Sequence, residues 1–157
     1  MTRVFIALGA NLGDPVAQVK EAARRLSLSP GIEQLHLSPL YLSDPVGVVD
    51  QPRFVNAALS LHTELAPLEV LDRCQAIEGA LGRVRSLRWG PRSIDLDLIL
   101  FGDQRLQDPR LELPHPRWLE RAFVMRPILD LEPALIIQGR PLREHLNAVG
   151  EAGLVAL

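Results

Sequence analysis

The segment from Arg83 to Gly102, RVRSLRWGPRSIDLDLILFG, holds the densest grouping of residues able to do chemistry in this 157-residue chain. Arginines 83, 85, 88 and 92 fall within ten residues and lead, through Trp89-Gly90-Pro91, to Asp95 and Asp97, which are one residue apart. In a strand alternate side chains share a face, so both carboxylates point one way, with Cα atoms about 6.5 to 7 Å apart, and Ile94, Leu96 and Leu98 point the other. From Leu98 to Phe101 the alternation gives way to an unbroken apolar run, so the later half of the strand is expected to be buried on both faces. Two hard carboxylates on a rigid rim suit Mg²⁺, which shares its coordination between a few carboxylates, water and substrate phosphates. Arginine grips the same phosphates with a planar, bidentate fork. A lone Asp-x-Asp is ordinarily the solvated face of a plain strand. Here four like charges crowd the preceding loop and would repel one another without a polyanion. Arginine abundance by itself carries little weight, because Lys20 is the sole lysine among seventeen basic residues.

Composition narrows the classes. The length reads as one domain, residues 1–157, burying about 70% of its unfolded surface. A net charge of −2 gives no bulk attraction to nucleic acid or an anionic membrane, so a polyanion must be held locally. The single cysteine, Cys74, excludes an internal disulfide and reads as a packing residue in a reducing compartment. The apolar run Val4 to Leu8 is too short for a secretory signal, and no stretch is long enough to span a bilayer. A cytoplasmic location is expected.

The elements that must position the carboxylates follow in order. Residues 3–10 read as a buried strand, with Gly9 to Gly13 turning out of it. Asp14 and Pro15 read as an N-cap and first helical residue, opening a helix to about Leu28. A glycine-rich turn before a helix can cradle phosphate, but neither GxGxxG nor a Walker signature occurs. Ile32 to Ser43 reads as a second strand of imperfect period. An irregular loop, Ser43 to Pro52, leads to a third strand from Phe54 to Glu64, where Asn56 is a polar residue able to read a heterocycle's donor and acceptor edge. Pro67 opens a helix to about Leu81, with Leu68, Leu71, Ala76 and Ile77 inward, Gln75 and Glu78 on a solvated face, and Gly82 as C-cap. After the strand bearing Asp95 and Asp97, Gly102-Asp103 turns the chain. Arg110 to Pro116 is extended, with His115 held between prolines. Arg117 to Asp130 contains helical stretches bearing Arg121 and Phe123, and Pro141 to about Val149 is a last amphipathic helix. The pattern is an α+β, ferredoxin-like β-α-β-β-α-β antiparallel sheet with helices packed on it, plus extra C-terminal elements.

RWGPRSIDLDLILFG, taken with LGANLGD, DQPRFVNAA, QAIEGALGRVR and LPHPRWLERAFV, resembles the 6-hydroxymethyl-7,8-dihydropterin pyrophosphokinase family of folate biosynthesis along nearly the whole chain. The resemblance implies a small, typically monomeric, ferredoxin-like enzyme that moves pyrophosphate from ATP to a reduced pterin and releases AMP. It assigns Asp95 and Asp97 to two Mg²⁺ ions, and Arg83 and Arg92 to phosphate contact and catalysis. Gln75, Arg110, His115 and Arg121 fall at ATP-contacting positions, as do Arg85, Arg88 and Trp89 in the arginine loop. For the pterin, Phe54 and Phe123 match the stacking positions, Asn56 matches the residue reading the ring edge, and Ser43, Pro45, Val46 and Gly47 match the segment facing the opposite edge. Three positions depart from the family pattern. Phe54 stands where tyrosine also occurs, Pro116 where an aromatic sometimes follows the histidine, and Glu112 where a hydroxyl residue adjoins the adenine. Gly47, Gly82 and Gly90 lie in or beside two loops expected to close over the substrates and to be mobile without them.

Two other readings make different demands. A nucleotidyltransferase also uses a strand-borne Asp-x-Asp with Mg²⁺, but needs a further carboxylate and an upstream Gly-Ser turn, and it releases pyrophosphate rather than AMP. An RNA-binding module of the same fold would carry a run of surface aromatics that is missing here.

Overall fold

The computed structural model describes residues 1–44, 52–84 and 94–157, the side chains of 83 and 84 excepted. The first strand, β1 (Thr2–Ala10), lies inside a six-stranded sheet in which every pairing is antiparallel. The helix α1 (Pro15–Ser27) opens as its sequence dictates, with the Asp14 carboxylate accepting the Ala17 N–H at 3.1 Å and Pro15 at the first position.

The single strand expected over 32–43 is two strands, β2 (Ile32–Leu37) and β3 (Tyr41–Ser43), both laid along β4 (Phe54–Thr63). The break has a local cause. Pro39 has no N–H to continue a ladder, and beside it the Ser38 hydroxyl takes the place of a carbonyl, accepting the Ala58 N–H at 2.9 Å. Gln34, at φ +50°, lies at the register shift between Glu33 and His36 that bends β2 before it reaches this point.

The helix α2 (Pro67–Val84) continues past Leu81, so Gly82 is a helical residue and not the C-cap. Its inward stripe also differs from the expected one. Ala76 is exposed, whereas Val70, Cys74 and Glu78 are buried with Leu71 and Ile77. The strand β5 (Asp95–Phe101) closes the sheet against β1, giving the spatial order β3, β4, β1, β5, with β2 also paired to β4. A short strand β10 (Val155–Ala156) adds to the β3 edge.

Two hydrophobic cores share this sheet. Val4, Ile6 and Leu8 of β1 and Ile94, Leu96 and Leu98 at β5 pack against α1 and α2. Phe5 and Ala7, Ala58 of β4, and Ile99 and Leu100 pack on the opposite side against Trp118, the helix α3 (Ala122–Leu131) and the helix α4 (Leu142–Val149). The strand pattern of the sequence is therefore met on both faces, and the C-terminal elements supply the second cover. Between β5 and α3 the chain makes a hairpin, β6 (Leu106–Asp108) with β7 (Leu111–Leu113), and a 3₁₀ turn, Trp118–Glu120. The hairpin was not evident from the sequence beyond Arg110. Its turn is set by Asp108, whose carboxylate accepts the Arg110 N–H at 2.9 Å, followed by Pro109. A two-residue turn through Gln138 (φ +54°) and Gly139 (φ +75°) joins β8 (Ile136–Ile137) to β9 (Arg140–Pro141) ahead of α4. Among the described residues no helix is long and apolar enough to cross a membrane.

Candidate active site

The chemistry-bearing residues converge because the middle strands present one row of small side chains between two polar ones. In register, Gly9 of β1 faces Asn56 of β4 on one side and Asp95 of β5 on the other, and Ala7 faces Ala58 and Asp97. The missing side chain at Gly9 leaves room for Asn56: a Cβ there would stand 3.3 Å from Asn56 Nδ2, a tight approach from which the amide would have to give by a few tenths of an ångström. An isolated glycine in a strand marks such close approach, and that was the available signal for a residue the sequence reading assigned to a turn.

Asp95 and Asp97 are exposed and share a face, with Leu96 buried behind them. Asn56 is 5% exposed, and the Ser43 hydroxyl donates to its Oδ1, which fixes the orientation of the amide. Phe54 and Phe123 are half-buried on facing elements, β4 and the first turn of α3. Arg121 sits just before that turn with its Cζ 5.9 Å from the Phe123 ring centroid. All eight residues Ser43, Phe54, Asn56, Asp95, Asp97, His115, Arg121 and Phe123 line one open cleft of about 510 Å³.

A second, smaller cavity of about 290 Å³ lies along α2 and the β6–β7 hairpin. Gln75 and Arg110 line it and are joined by a 2.9 Å hydrogen bond, while Arg110 also pairs with Asp72 at 2.6 Å. Glu112 and Pro116, two of the three departures from the family pattern, line it too. Asp97 and His115 line both cavities, so these two residues stand at the boundary between them.

His115 reaches that boundary through a bulge. Ile6 of β1 pairs with Leu98 and Phe5 with Leu100, which leaves Ile99 as an extra residue whose carbonyl accepts the His115 N–H at 3.0 Å. The ring Nδ1 accepts the Arg117 N–H at 3.2 Å. Burial pushes the His115 pKa below its ordinary value; the Asp97 and Glu112 charges oppose that shift and Arg121 adds to it. Whenever the ring is neutral, its Nδ1 accepting from Arg117 places the proton on Nε2, which leaves Nε2 as the ring's donor.

Charge decides what the larger cleft can hold. Among the described residues its lining has four carboxylates, Asp44, Asp95, Asp97 and Glu120, against two guanidiniums, Arg117 and Arg121. Arg117 and Glu120 were not singled out from the sequence, where nothing distinguishes them from surface charges. Such an excess of negative charge repels a polyphosphate unless a cation comes with it. Asp95 and Asp97 fit Mg²⁺ as donors. They are hard oxygens on one strand face, and among the described residues no group of three or more acidic, histidine or cysteine side chains forms a closed cage. Two protein carboxylates with the rest of the shell left to water and phosphate is the habit of Mg²⁺ rather than of a structural metal. Pro45, Val46, Gly47, Arg85, Arg88, Trp89 and Arg92, the side chain of Arg83, and the expectation of mobile loops all lie outside the described residues.

The profile of the family described as 7,8-dihydro-6-hydroxymethylpterin-pyrophosphokinase (HPPK) matches residues 5–133. The chain belongs to this family. Two curated relatives are both named 2-amino-4-hydroxy-6-hydroxymethyldihydropteridine pyrophosphokinase. The one from Pseudomonas aeruginosa is 50% identical over 156 residues, covering 99% of this chain and 96% of the relative. The one from Methylorubrum extorquens is 43% identical over 154 residues, with 98% of each covered. Among solved structures, wild-type HPPK-DHPS of Plasmodium falciparum with SDX-DHP superposes with a TM-score of 0.71 at 14% identity, over 94% of this chain and 43% of that one. The pyrophosphokinase chain thus spans under half the length of that solved chain, and at this identity the likeness speaks for the fold, which is the HPPK α+β fold.

Proposed function

We propose that the two adjoining cavities bind a reduced pterin and ATP, and that pyrophosphate passes between them at the Asp97–His115 boundary. As a member of its family the chain is an ATP-dependent pyrophosphokinase of folate biosynthesis. The reaction joins the hydroxymethyl oxygen of 6-hydroxymethyl-7,8-dihydropterin to the β-phosphorus of ATP, breaks the bond from that phosphorus to the α-phosphate oxygen, releases AMP and sheds the hydroxyl proton. The observation that carries the site assignment is the sharing of Asp97 and His115 by an aromatic-walled cleft and a polar cavity.

In this reading Phe54 and Phe123 take the pterin ring between them, a geometry worth about 0.5 to 1.5 kcal/mol per aromatic pair beyond burial. Asn56, locked by Ser43, meets the donor and acceptor edge of the ring, with Pro45, Val46 and Gly47 toward the other edge. Gln75 and Arg110 hold the nucleotide beside α2. The Nε2–H of His115 donates to a nucleotide oxygen, so His115 orients ATP and does not act as the base. Arg121, with Arg83, Arg85, Arg88 and Arg92 of the arginine loop, grips the phosphates, and Trp89 helps to seal the site from water. Asp95 and Asp97 would hold two Mg²⁺ ions, which neutralise charge on the transferred group and keep the reacting oxygens in line. Residues 1–157 act as one domain, as a monomer in the cytoplasm, on small molecules, with neither nucleic acid nor membrane as partner.

Nucleotide product analysis tests this reading. With ATP, Mg²⁺ and the pterin, the protein is expected to produce AMP and no ADP, only when the pterin is present, and Asp97→Ala is expected to lose more than about 100-fold in rate. ADP as product, or AMP formation that survives Asp97→Ala unchanged, contradicts it.

A further inference from the structure

Among the described residues the strand β5 is an edge of the sheet, and no other described strand pairs with the outer side of its backbone. On that side the Leu96 N–H donates to Glu78 Oε2 at 2.7 Å. Glu78 is 7% exposed in the middle of α2, where helix periodicity and composition had placed it on a solvated face. Leu96 is the residue between Asp95 and Asp97, so Glu78 holds the backbone between the two carboxylate-bearing residues. Glu78 also lines the smaller cavity together with Asp97. Cys74, one turn earlier on the same inward stripe, has its thiol pKa pushed up to about 12, chiefly by burial and then by the charges of Glu78 and Asp97. Burying a carboxylate is costly unless its oxygens are hydrogen-bonded, and the Leu96 N–H is one group that the buried Glu78 engages.

We propose that Glu78 is a positioning residue for the aspartate pair: by holding the Leu96 peptide it fixes Asp95 and Asp97 in the spacing that binds a divalent cation with the ATP phosphates. The inference rests on the reading of those aspartates as metal ligands. What matters is the reach of the acceptor and not its charge, and two near-isosteric variants separate these. Glu78→Gln keeps an oxygen at the same distance without the charge; Glu78→Asp keeps the charge but falls one methylene short.

The test measures Mn²⁺ uptake by electron paramagnetic resonance in the presence of α,β-methylene-ATP, and Leu96 amide exchange by NMR in the ligand-free proteins. Support is Leu96 protection in wild type and Glu78→Gln with Mn²⁺ affinities within about threefold of each other, against unprotected Leu96 and about 10- to 100-fold weaker Mn²⁺ in Glu78→Asp, the range typical when the partner of a metal-binding side chain is lost. Amides of Ile6 and Leu59 are expected to stay protected in all three proteins. Equal Mn²⁺ affinity in Glu78→Asp and wild type, or weaker binding in Glu78→Gln than in Glu78→Asp, overturns the inference. So does a Leu96 amide that exchanges freely in wild type, a result that needs no variant to fold. Wild-type protein that takes up no Mn²⁺ overturns the metal reading of Asp95 and Asp97 and this inference with it.

Discussion

His115 shows how one side chain's surroundings fix its role. Flanking prolines, the Ile99 carbonyl on its N–H and the Arg117 N–H on its ring leave one nitrogen free to face the cavities. Its pKa lies below the ordinary 6.5, chiefly through burial. A histidine with a depressed folded-state pKa contributes stability that is present above 6.5 and lost as the pH falls through the lowered value. Ring titration by NMR is therefore expected to give a midpoint below 6.5, with activity falling on the acid side in step with it; a midpoint at or above 6.5 would contradict the burial that depresses it. Gly9 is the second residue-scale case. Its added Cβ in Gly9→Ala presses on Asn56 Nδ2 from 3.3 Å, and overpacking of this kind costs about 1 to 3 kcal/mol. Calorimetry should find pterin binding weakened about tenfold and ATP binding unchanged.

At the level of elements, the cleft depends on how α3 sits against β3. The Tyr41 hydroxyl of β3 donates to Asp130 and accepts from Arg126 Nε at 3.3 Å, and Arg126 bonds Asp130 at 2.7 Å and approaches Glu151 of the C-terminal segment at 3.7 Å. Burial pushes the Tyr41 hydroxyl pKa up, so it stays a donor. Ser43 is two residues beyond Tyr41 on β3, and Phe123 is three residues before Arg126 on α3. The network therefore sets the distance between opposite walls of the larger cleft. Tyr41→Phe leaves the Arg126–Asp130 pair intact and removes the tie, for a loss of about 1 kcal/mol, seen as a lower urea midpoint. The same loss felt at the cleft corresponds to about fivefold weaker pterin binding, while nucleotide binding beyond Asp97 is expected to hold. Equal losses for both ligands would place the effect in general stability instead.

Across the whole molecule, the sequence displayed best what depends on neighbours along the chain. The facing of Asp95 and Asp97, the Asp14-Pro15 helix start and the Leu98 to Phe101 run buried on both sides all follow from period and capping. What escaped depends on partners distant in sequence. Glu78 is buried because a β5 amide needs it, Gly9 is a glycine because Asn56 lies across the strand, and the strand over 32–43 breaks where the Ser38 hydroxyl replaces a carbonyl opposite Ala58. The C-terminal cover of the second core was visible as helices but not as a layer, because nothing local says which sheet face a helix will take. Of the cavity lining, Ser43, Phe54, Asn56, Asp95, Asp97, His115, Arg121 and Phe123 stood out through their motifs, whereas Arg117, Glu120 and the buried Glu78 did not, nor did the division into two cavities meeting at Asp97 and His115.

That division is the central claim, and one measurement addresses it most directly: a crystal structure with Mg²⁺, 6-hydroxymethyl-7,8-dihydropterin and α,β-methylene-ATP, whose bridging carbon blocks the bond that the reaction breaks. The account predicts the pterin ring between Phe54 and Phe123, the nucleotide beside Gln75 and Arg110, and the triphosphate crossing the Asp95–Asp97 face with its β-phosphorus toward the hydroxymethyl oxygen. A pterin outside the aromatic pair, or a triphosphate that avoids the two aspartates, would contradict it.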